Sequence, residues 1–395
     1  MKTVQPQLRF PEFKNDWKKD TLGNLFNISA GGDIKSEFVS KIKDNIYKYP
    51  IYANAEKNKG FYGYASIYKI DEEVVTIAGR GVNIGIAHSR KEKFYPIVRL
   101  LVLKPKNVTS VDFFEYAINN FDIVVESTGV PQLTAPQISN YEIYYTVYKE
   151  QTKIANFLSS IDEKLKLLKE KKSLLEDYKK GIMQKIFNQE LRFKDDNRED
   201  FGEWDNVNLQ FISSNYYQGI NTAADKTKYY SEGYPILQAK HITSEKISYE
   251  DSKFVNQVDY DLYKLKYKPN INEILISNIG TIGKVLLINE NVDFLIAWNI
   301  FKVTLKPQIT NALYITYNLK YISGLGYFDE CKTGNATKFV NKSDMLNTPI
   351  YLPCLEEQTK IANFLLAIDE KIELVSNQIE DTQEYKKGLL QQMFV

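Results

Sequence analysis

EQTKIANFLSSIDEKLKLLKEKKSLLEDYKKGIMQKIF, from Glu150 to Phe187, occurs twice in this chain. The second copy, Glu357 to Phe394, reads EQTKIANFLLAIDEKIELVSNQIEDTQEYKKGLLQQMF. The offset is 207 residues throughout, with no gap, and 20 of the 38 positions are identical. The identities sit at the two ends: EQTKIANFL with IDEK, then YKKG with a closing Phe. The middle has drifted in sequence while its length has not.

Both copies read as long helices. In the first, Ile154, Leu158, Ile161, Leu165, Leu168, Leu175, Ile182 and Ile186 form one apolar seam, broken at Lys172 and Lys179. In the second, Ile361, Leu365, Ile368, Ile372, Val375, Ile379, Leu389 and Met393 do the same, broken at Thr382 and Lys386. Steps alternating between four and three give a coiled-coil seam, which needs a partner helix. Two amphipathic helices packed separately on their own domains would be the plainer reading. Mutual pairing is preferred, because two seams of matched length satisfy each other. Each helix spans about 55 Å at 1.5 Å per residue, so it is a spacer as well as a core element.

The segments between the helices also correspond. Each opens on Leu-Arg-Phe (Leu8 to Phe10, Leu191 to Phe193), with Trp17 or Trp204 shortly after. Each then has Tyr-Pro-Ile, at Tyr49 and Tyr234, and a strand, glycine-rich turn and strand, at 74–88 and 273–288. A strand ending in Leu-Lys-Pro follows, then a short helical run from Val111 or Ala312, a Thr-Gly, and a last strand into the long helix. The chain is therefore one globular domain and one long helix, twice over. The expected division is 1–148, 149–188, 189–355 and 356–395. The expected fold class is α+β, with mixed domains joined by two long paired helices in a pseudo-twofold repeat. Leu191 to Phe193 directly follows a long helix. By symmetry, Leu8 to Phe10 should pack by the end of the second helix, near Met393 and Phe394. The acidic stretch 188–205 reads as a surface crossing.

Composition narrows the class. The chain has 395 residues, enough for two or three domains, and is 43% hydrophobic. A net charge of +1 announces no global attraction to nucleic acid, and local patches decide such binding. Two cysteines, Cys331 and Cys354, suggest no disulfide framework. The opening MKTVQPQLRFPEF lacks the apolar core of a signal peptide, and no apolar run approaches the ~18 residues of a membrane span. A reduced cytoplasmic protein is expected.

Catalytic patterns are missing. Gly79 to Gly85 superficially resembles a dinucleotide fingerprint, but strand and loop follow it where a helix is required. Gly280-Thr281-Ile282-Gly283-Lys284 is no phosphate loop: Asn278 stands at the first glycine and Val285 at the magnesium-binding hydroxyl. The two histidines, His88 and His241, have no metal-ligand spacing. No prolines are adjacent, so the Pro-Pro signature of adenine-amino methyltransferases is absent. What recurs at matched places is a pair of polar turns suited to a polymer of phosphates and bases. Arg80 and Asn83 lie on one, and Asn278, Thr281 and Lys284 on the other. The Thr-Gly loops add Thr128 and Gln132 in the first half, and Thr333, Asn335 and Lys338 in the second. A plain hairpin is the bland alternative, and recurrence in both halves favours function.

Over essentially its whole length the chain resembles the specificity subunits of type I restriction-modification systems. The resemblance is carried by the duplicated EQTKIANFL…IDEK openings, the YKKG ends, the glycine-rich hairpins and the Thr-Gly loops. It implies two α/β target-recognition domains, each reading half of a bipartite DNA site. The long helices would pair antiparallel, set the unread gap and dock two methyltransferase subunits. Two translocase/nuclease subunits would complete the complex. Helix residues expected to serve docking are Gln151, Asn156, Lys179 and Lys180, with Gln358, Asn363, Lys386 and Lys387 in the second copy. The resemblance implies no catalytic site and no cofactor in this chain; S-adenosylmethionine, ATP and magnesium are expected on the partners. The rival reading is a non-catalytic adaptor with two protein- or glycan-binding domains on a coiled-coil stalk.

Overall fold

The computed structural model describes residues 4–54, 57–121, 123, 132–221, 227–243, 246–334 and 338–395. It contains two compact units, residues 1–171 with 375–395, and residues 172–374. The long helices run Tyr148–Phe187 and Leu355–Met393, and each contributes a half to both units. Among the described residues, no helix is long and apolar enough to cross a membrane.

The first unit holds a four-stranded antiparallel sheet in the order Phe26–Ala30, Leu101–Pro105, Val74–Ile77, Ala87–Arg90. A smaller sheet runs Val39–Ser40, Phe61–Ala65, Tyr49–Tyr52, Tyr95–Pro96, its last pair parallel. The second unit repeats the larger sheet as Ser213–Gln218, Ile300–Leu305, Ile274–Ser277, Val285–Leu287. It repeats the smaller one as Lys253–Val255, Tyr234–Leu237, Leu295–Ile296, again with the last pair parallel. In both, a two-stranded ribbon leads into the long helix: Lys18–Thr21 with Glu142–Tyr145, and Asp205–Asn208 with Pro349–Leu352.

A helix covers the larger sheet in each unit. Val111–Asn119 starts where the Ser110 hydroxyl accepts from the Phe113 amide, and Ala312–Gly324 where the Asn311 side chain accepts from the Tyr314 amide. Val111, Phe113, Phe114, Ala117 and Ile118 bury one face of the first. Each large apolar side chain so buried contributes roughly 1.5–3 kcal/mol. The helix Gln257–Tyr267, capped by Asn256, has no counterpart among the described residues of the first unit. It was not read from the sequence. It occupies the interval in which the repeat offset widens, between Tyr234-Pro235-Ile236 and the hairpin.

The long helices pair antiparallel within each unit. In the first unit, Leu389, Met393 and Phe394 pack with Ile154, Leu158 and Ile161, and Lys386 pairs with Asp162. In the second, Ile186 and Phe187 share a core with Ile361, Leu365 and Ile368, and Lys179 pairs with Asp369. The breaks at Lys179 and Lys386 thus have partners on the facing helix. The same aspartates accept from Tyr116 Oη at 2.7 Å and Tyr317 Oη at 2.6 Å. Burial, and then the adjacent carboxylate, hold both phenols far above the usual tyrosine range. The Asp of IDEK and the first Lys of YKKG recur because each completes the other's ion pair.

The repeated Leu-Arg-Phe and Glu-Gln motifs are likewise two halves of one device. Arg9 donates to Glu150 through Nε at 2.6 Å and Nη2 at 2.8 Å, and Arg192 donates to Glu357 through both nitrogens at 2.8 Å. Both carboxylates are fully buried. The third partner differs: the Thr146 hydroxyl donates to Glu150, whereas Trp204 Nε1 donates to Glu357 at 2.9 Å. The Leu8 amide donates to Gln392 O at 2.9 Å, as the Leu191 amide does to Lys185 O at 3.1 Å. Leu8 to Phe10 therefore packs at the end of the second long helix, as expected, with Phe10 edge-on to Phe157.

Candidate nucleic-acid interface

In each unit the central hairpin brings a turn beside the loop that precedes the last ribbon strand. Backbone hydrogen bonds fix which residues are equivalent. Leu133 N donates to Gly79 O, and Val340 N donates to Asn278 O, both at 2.9 Å. Bridges then pair Arg80 with Gln132 in the first unit and Ile279 with Phe339 in the second. A third strand of chain arrives alongside: Val98 N donates to Gly32 O, as Trp298 N does to Ile220 O. Three positions of one fold are thus Arg80, Gln132 and Val98 in the first unit, and Ile279, Phe339 and Trp298 in the second. The turns need their glycines, since Gly81 and Gly280 have φ of +82° and +78°.

The first unit's surface is polar and cationic. Arg80 and the adjoining Arg99 both donate to Gln132 Oε1, at 3.2 and 3.3 Å. Val98 and Arg99 have φ of +52° and +59°, which is strained for a β-branched residue. Their amides are anchored on Gly32 O and Gly31 O, and the Asn54 side chain holds Val98 O. That strain places Arg99 beside Gln132. Asn83, on the same turn, borders a cleft of about 260 Å³ that also contains Lys59, His88 and Arg90. Arg90 lies 3.6 Å over the Tyr52 ring, and burial lowers its pKa. Glu115 nearby is pushed up by burial, but bonds from His88 and Ser89 outweigh this and hold it at about 2.

The second unit presents different chemistry at the same place. Trp298 is 45% exposed and Phe339 37% exposed. With Ile279 they border a cleft of about 520 Å³ that also contains Gln218, Asn278 and Lys342. Gln218 Nε2 donates to Trp298 O at 2.6 Å, and Lys342 Nζ sits 4.6 Å from the Tyr216 ring centre.

The expected DNA-facing residues divide accordingly. Arg80 and Gln132 come together, while Asn83, on the same turn, borders the cleft of Lys59, His88 and Arg90. Thr281 is exposed at the tip of the second turn, and Lys284 is half-buried at its end. Asn278 is turned inward: it occupies the position of Gly79, is buried, and its Nδ2 faces Val340 O. Thr333 is exposed and pairs its backbone with Phe339, and Lys338 is exposed. Thr128 and Asn335 lie outside the described residues. Trp298, Phe339 and Arg99 were not singled out from the sequence. Trp298 closes the apolar run DFLIAW, which reads as core. Its exposure arises only from the turn after Leu295–Ile296.

The expected docking residues also divide. Gln151 and Gln358 are buried within their own units. Gln151 accepts from Thr109 Oγ1 and Ser110 N and donates to Thr146 O, while Gln358 accepts from Asn311 N and donates to Ile309 O and Pro353 O. They tie the loop before the covering helix to the long helix. Lys179 and Lys386 are engaged between the helices. Asn156, Asn363, Lys180 and Lys387 remain exposed on the helix surface. Among the described residues, no group of three or more His, Cys, Asp or Glu is placed to hold a metal.

The family described as type I restriction modification DNA specificity domain matches residues 14–177 and 203–383, and the chain belongs to that family. Its two matches coincide with the two repeats. The MjaX type I restriction enzyme specificity subunit of Methanocaldococcus jannaschii is 26% identical over 404 residues, 98% of this chain and 87% of that one. The type I specificity subunit S.MpnORF507P of Mycoplasma pneumoniae is 34% identical over 134 residues, but the match spans only 34% of this chain and 36% of that relative. The fold is shared with the crystal structure of the type I restriction-modification S subunit from M. genitalium, with a TM-score of 0.63, 15% identity and 99% of both chains covered.

Proposed function

We propose that this chain is the DNA-recognition subunit of a type I restriction-modification complex in the cytoplasm. It performs no chemistry itself. The observation that carries this reading is one fold built twice, with different side chains at equivalent exposed positions. Two unlike reading surfaces in one chain suit a bipartite site whose halves differ in sequence. Arg80, Asn83 and Gln132 face one half, and Thr281, Lys284, Thr333 and Lys338 lie around the surface for the other. The paired helices set the unread gap. Two methyltransferase subunits dock on the helices, with Asn156, Lys180, Asn363 and Lys387 available to meet them. S-adenosylmethionine belongs to those subunits, and ATP and magnesium to two translocase/nuclease subunits.

Binding to duplex DNA, measured by mobility shift with the methyltransferase partner present, should be sequence-specific. It should also weaken steeply between 50 and 200 mM salt, as counterion release demands. Salt-insensitive binding, or binding to protein or glycan alone, would instead support an adaptor.

A further inference from the structure

Two of the three equivalent positions differ in kind: Arg80 and Gln132 stand where the second unit has Ile279 and Phe339, while at the third an exposed Val98 is replaced by the much larger Trp298. In the first unit, Arg80, Arg99 and Gln132 form a hydrogen-bonded group of donors and acceptor. In the second, Ile279, Phe339 and Trp298 occupy the places of Arg80, Gln132 and Val98, the residue beside Arg99, and the two aromatic side chains are exposed. An exposed tryptophan and phenylalanine on one surface are costly to leave in water, since each carries a large apolar area. They are not needed for the core of the second unit, which is made by residues such as Ile236, Leu275 and Phe294. Nor does the fold require aromatics here, because the first unit builds the same turn and the same bridge with Gln132 and Val98.

Duplex DNA offers two kinds of partner in its major groove. Guanine presents N7 and O6 to arginine and adenine presents N7 and N6 to glutamine, whereas thymine alone presents a methyl group to apolar side chains. We propose that the two units read by different contact chemistry from the same turn and its two flanking loops. Arg80, Arg99 and Gln132 read purine edges by hydrogen bonds. Trp298 and Phe339, backed by Ile279, read thymine through its 5-methyl group. This rests on the DNA-recognition function proposed above and assigns a mode of readout to each half of the site.

The test uses the full chain with its methyltransferase subunits and duplexes carrying its own motif. Replacing thymine by deoxyuridine removes only the methyl group. In the half-site of the second unit this should weaken binding roughly fourfold per contacted methyl. In the other half-site it should do nothing. Trp298→Ala and Phe339→Ala should each weaken binding and abolish that sensitivity, while leaving the slope of affinity against salt unchanged. Both residues are exposed, so hydrogen-exchange protection of the second unit's sheet should hold. Replacing guanine or adenine by its 7-deaza analogue, which removes N7, should act only in the first unit's half-site, and Arg80→Ala should cancel the effect for the guanine it contacts. The proposal is overturned if the second half-site contains no A·T pair, if deoxyuridine there has no effect, or if the Trp298 and Phe339 variants remain equally sensitive to it. If the unaltered chain binds no sequence specifically, the function itself falls, which is a different result.

Discussion

Arg192→Ala should loosen the second unit by about 3–5 kcal/mol, the usual penalty for leaving a buried charge without its partner. Glu357 is fully buried and receives two hydrogen bonds from Arg192, so the substitution leaves its carboxylate with Trp204 alone among these donors. The bond to Glu357 also raises the Arg192 pKa, so the guanidinium is charged at any working pH. Because two compact units need not unfold as one, a single melting temperature is a poor readout. Hydrogen exchange resolves them. Amides of Asp205–Asn208 and of residues 350–352 should lose roughly two to four orders of magnitude of protection, while those of Lys18–Thr21 and Glu142–Tyr145 keep theirs. Arg9→Ala should give the mirror result. Replacing Arg192 and Glu357 together by methionine should recover most of the loss, since a buried pair exchanged for apolar residues is often neutral. Unchanged protection in Arg192→Ala would show that the repeated Arg and Glu are not a structural clamp.

Matched four-residue insertions after Lys171 and after Gln378, equivalent points in the two helix copies, should lengthen the unread gap of the target. Four residues add about 6 Å of rise and little more than one full turn, so the seam resumes nearly in phase. At 3.4 Å per base pair the gap should grow by about one to two pairs, with both half-site sequences unchanged. Matched one-residue insertions rotate each seam by about 100°, which unseats Ile182 and Ile186 on one helix and Leu389 and Met393 on the other. They should abolish activity. Mapping methylated adenines in cells distinguishes these outcomes. An active four-residue variant with an unaltered gap would mean that something other than the helices spaces the half-sites.

The long helices were legible because their repeat is ungapped and their apolar seam is periodic. The order of strands, turn, covering helix and final strand was legible from motifs that recur in both halves. The clamp was harder to see, since Arg9 and Glu150 lie 141 residues apart and Arg192 and Glu357 lie 165 apart. Their joint repetition was the available signal. The helix Gln257–Tyr267 is hidden in the sequence because it interrupts the repeat and buries tyrosines, Tyr260 and Tyr267 with Tyr263 half-buried, while its aliphatic residues Val258, Leu262 and Leu265 are exposed. At the candidate interface, Arg80 and Gln132 are legible as polar donors, whereas Trp298 and Phe339 read as core. Asn278 reads as a donor too, but the backbone places it where the first unit has Gly79. Gln151 and Gln358 were expected at the surface because they recur; they recur because each ties a loop to its own helix.

The central claim is that this chain chooses the DNA sequence, one unit for each half. The most direct measurement is to map methylated adenines in cells carrying the methyltransferase subunit with the unaltered chain, and then with Arg80, Arg99 and Gln132 replaced by Ala. The unaltered chain should direct methylation to a two-part asymmetric motif. The substituted chain should relax or change one part only, leaving the other part and the gap intact. Methylation independent of the chain, or a change in both parts at once, would contradict the account.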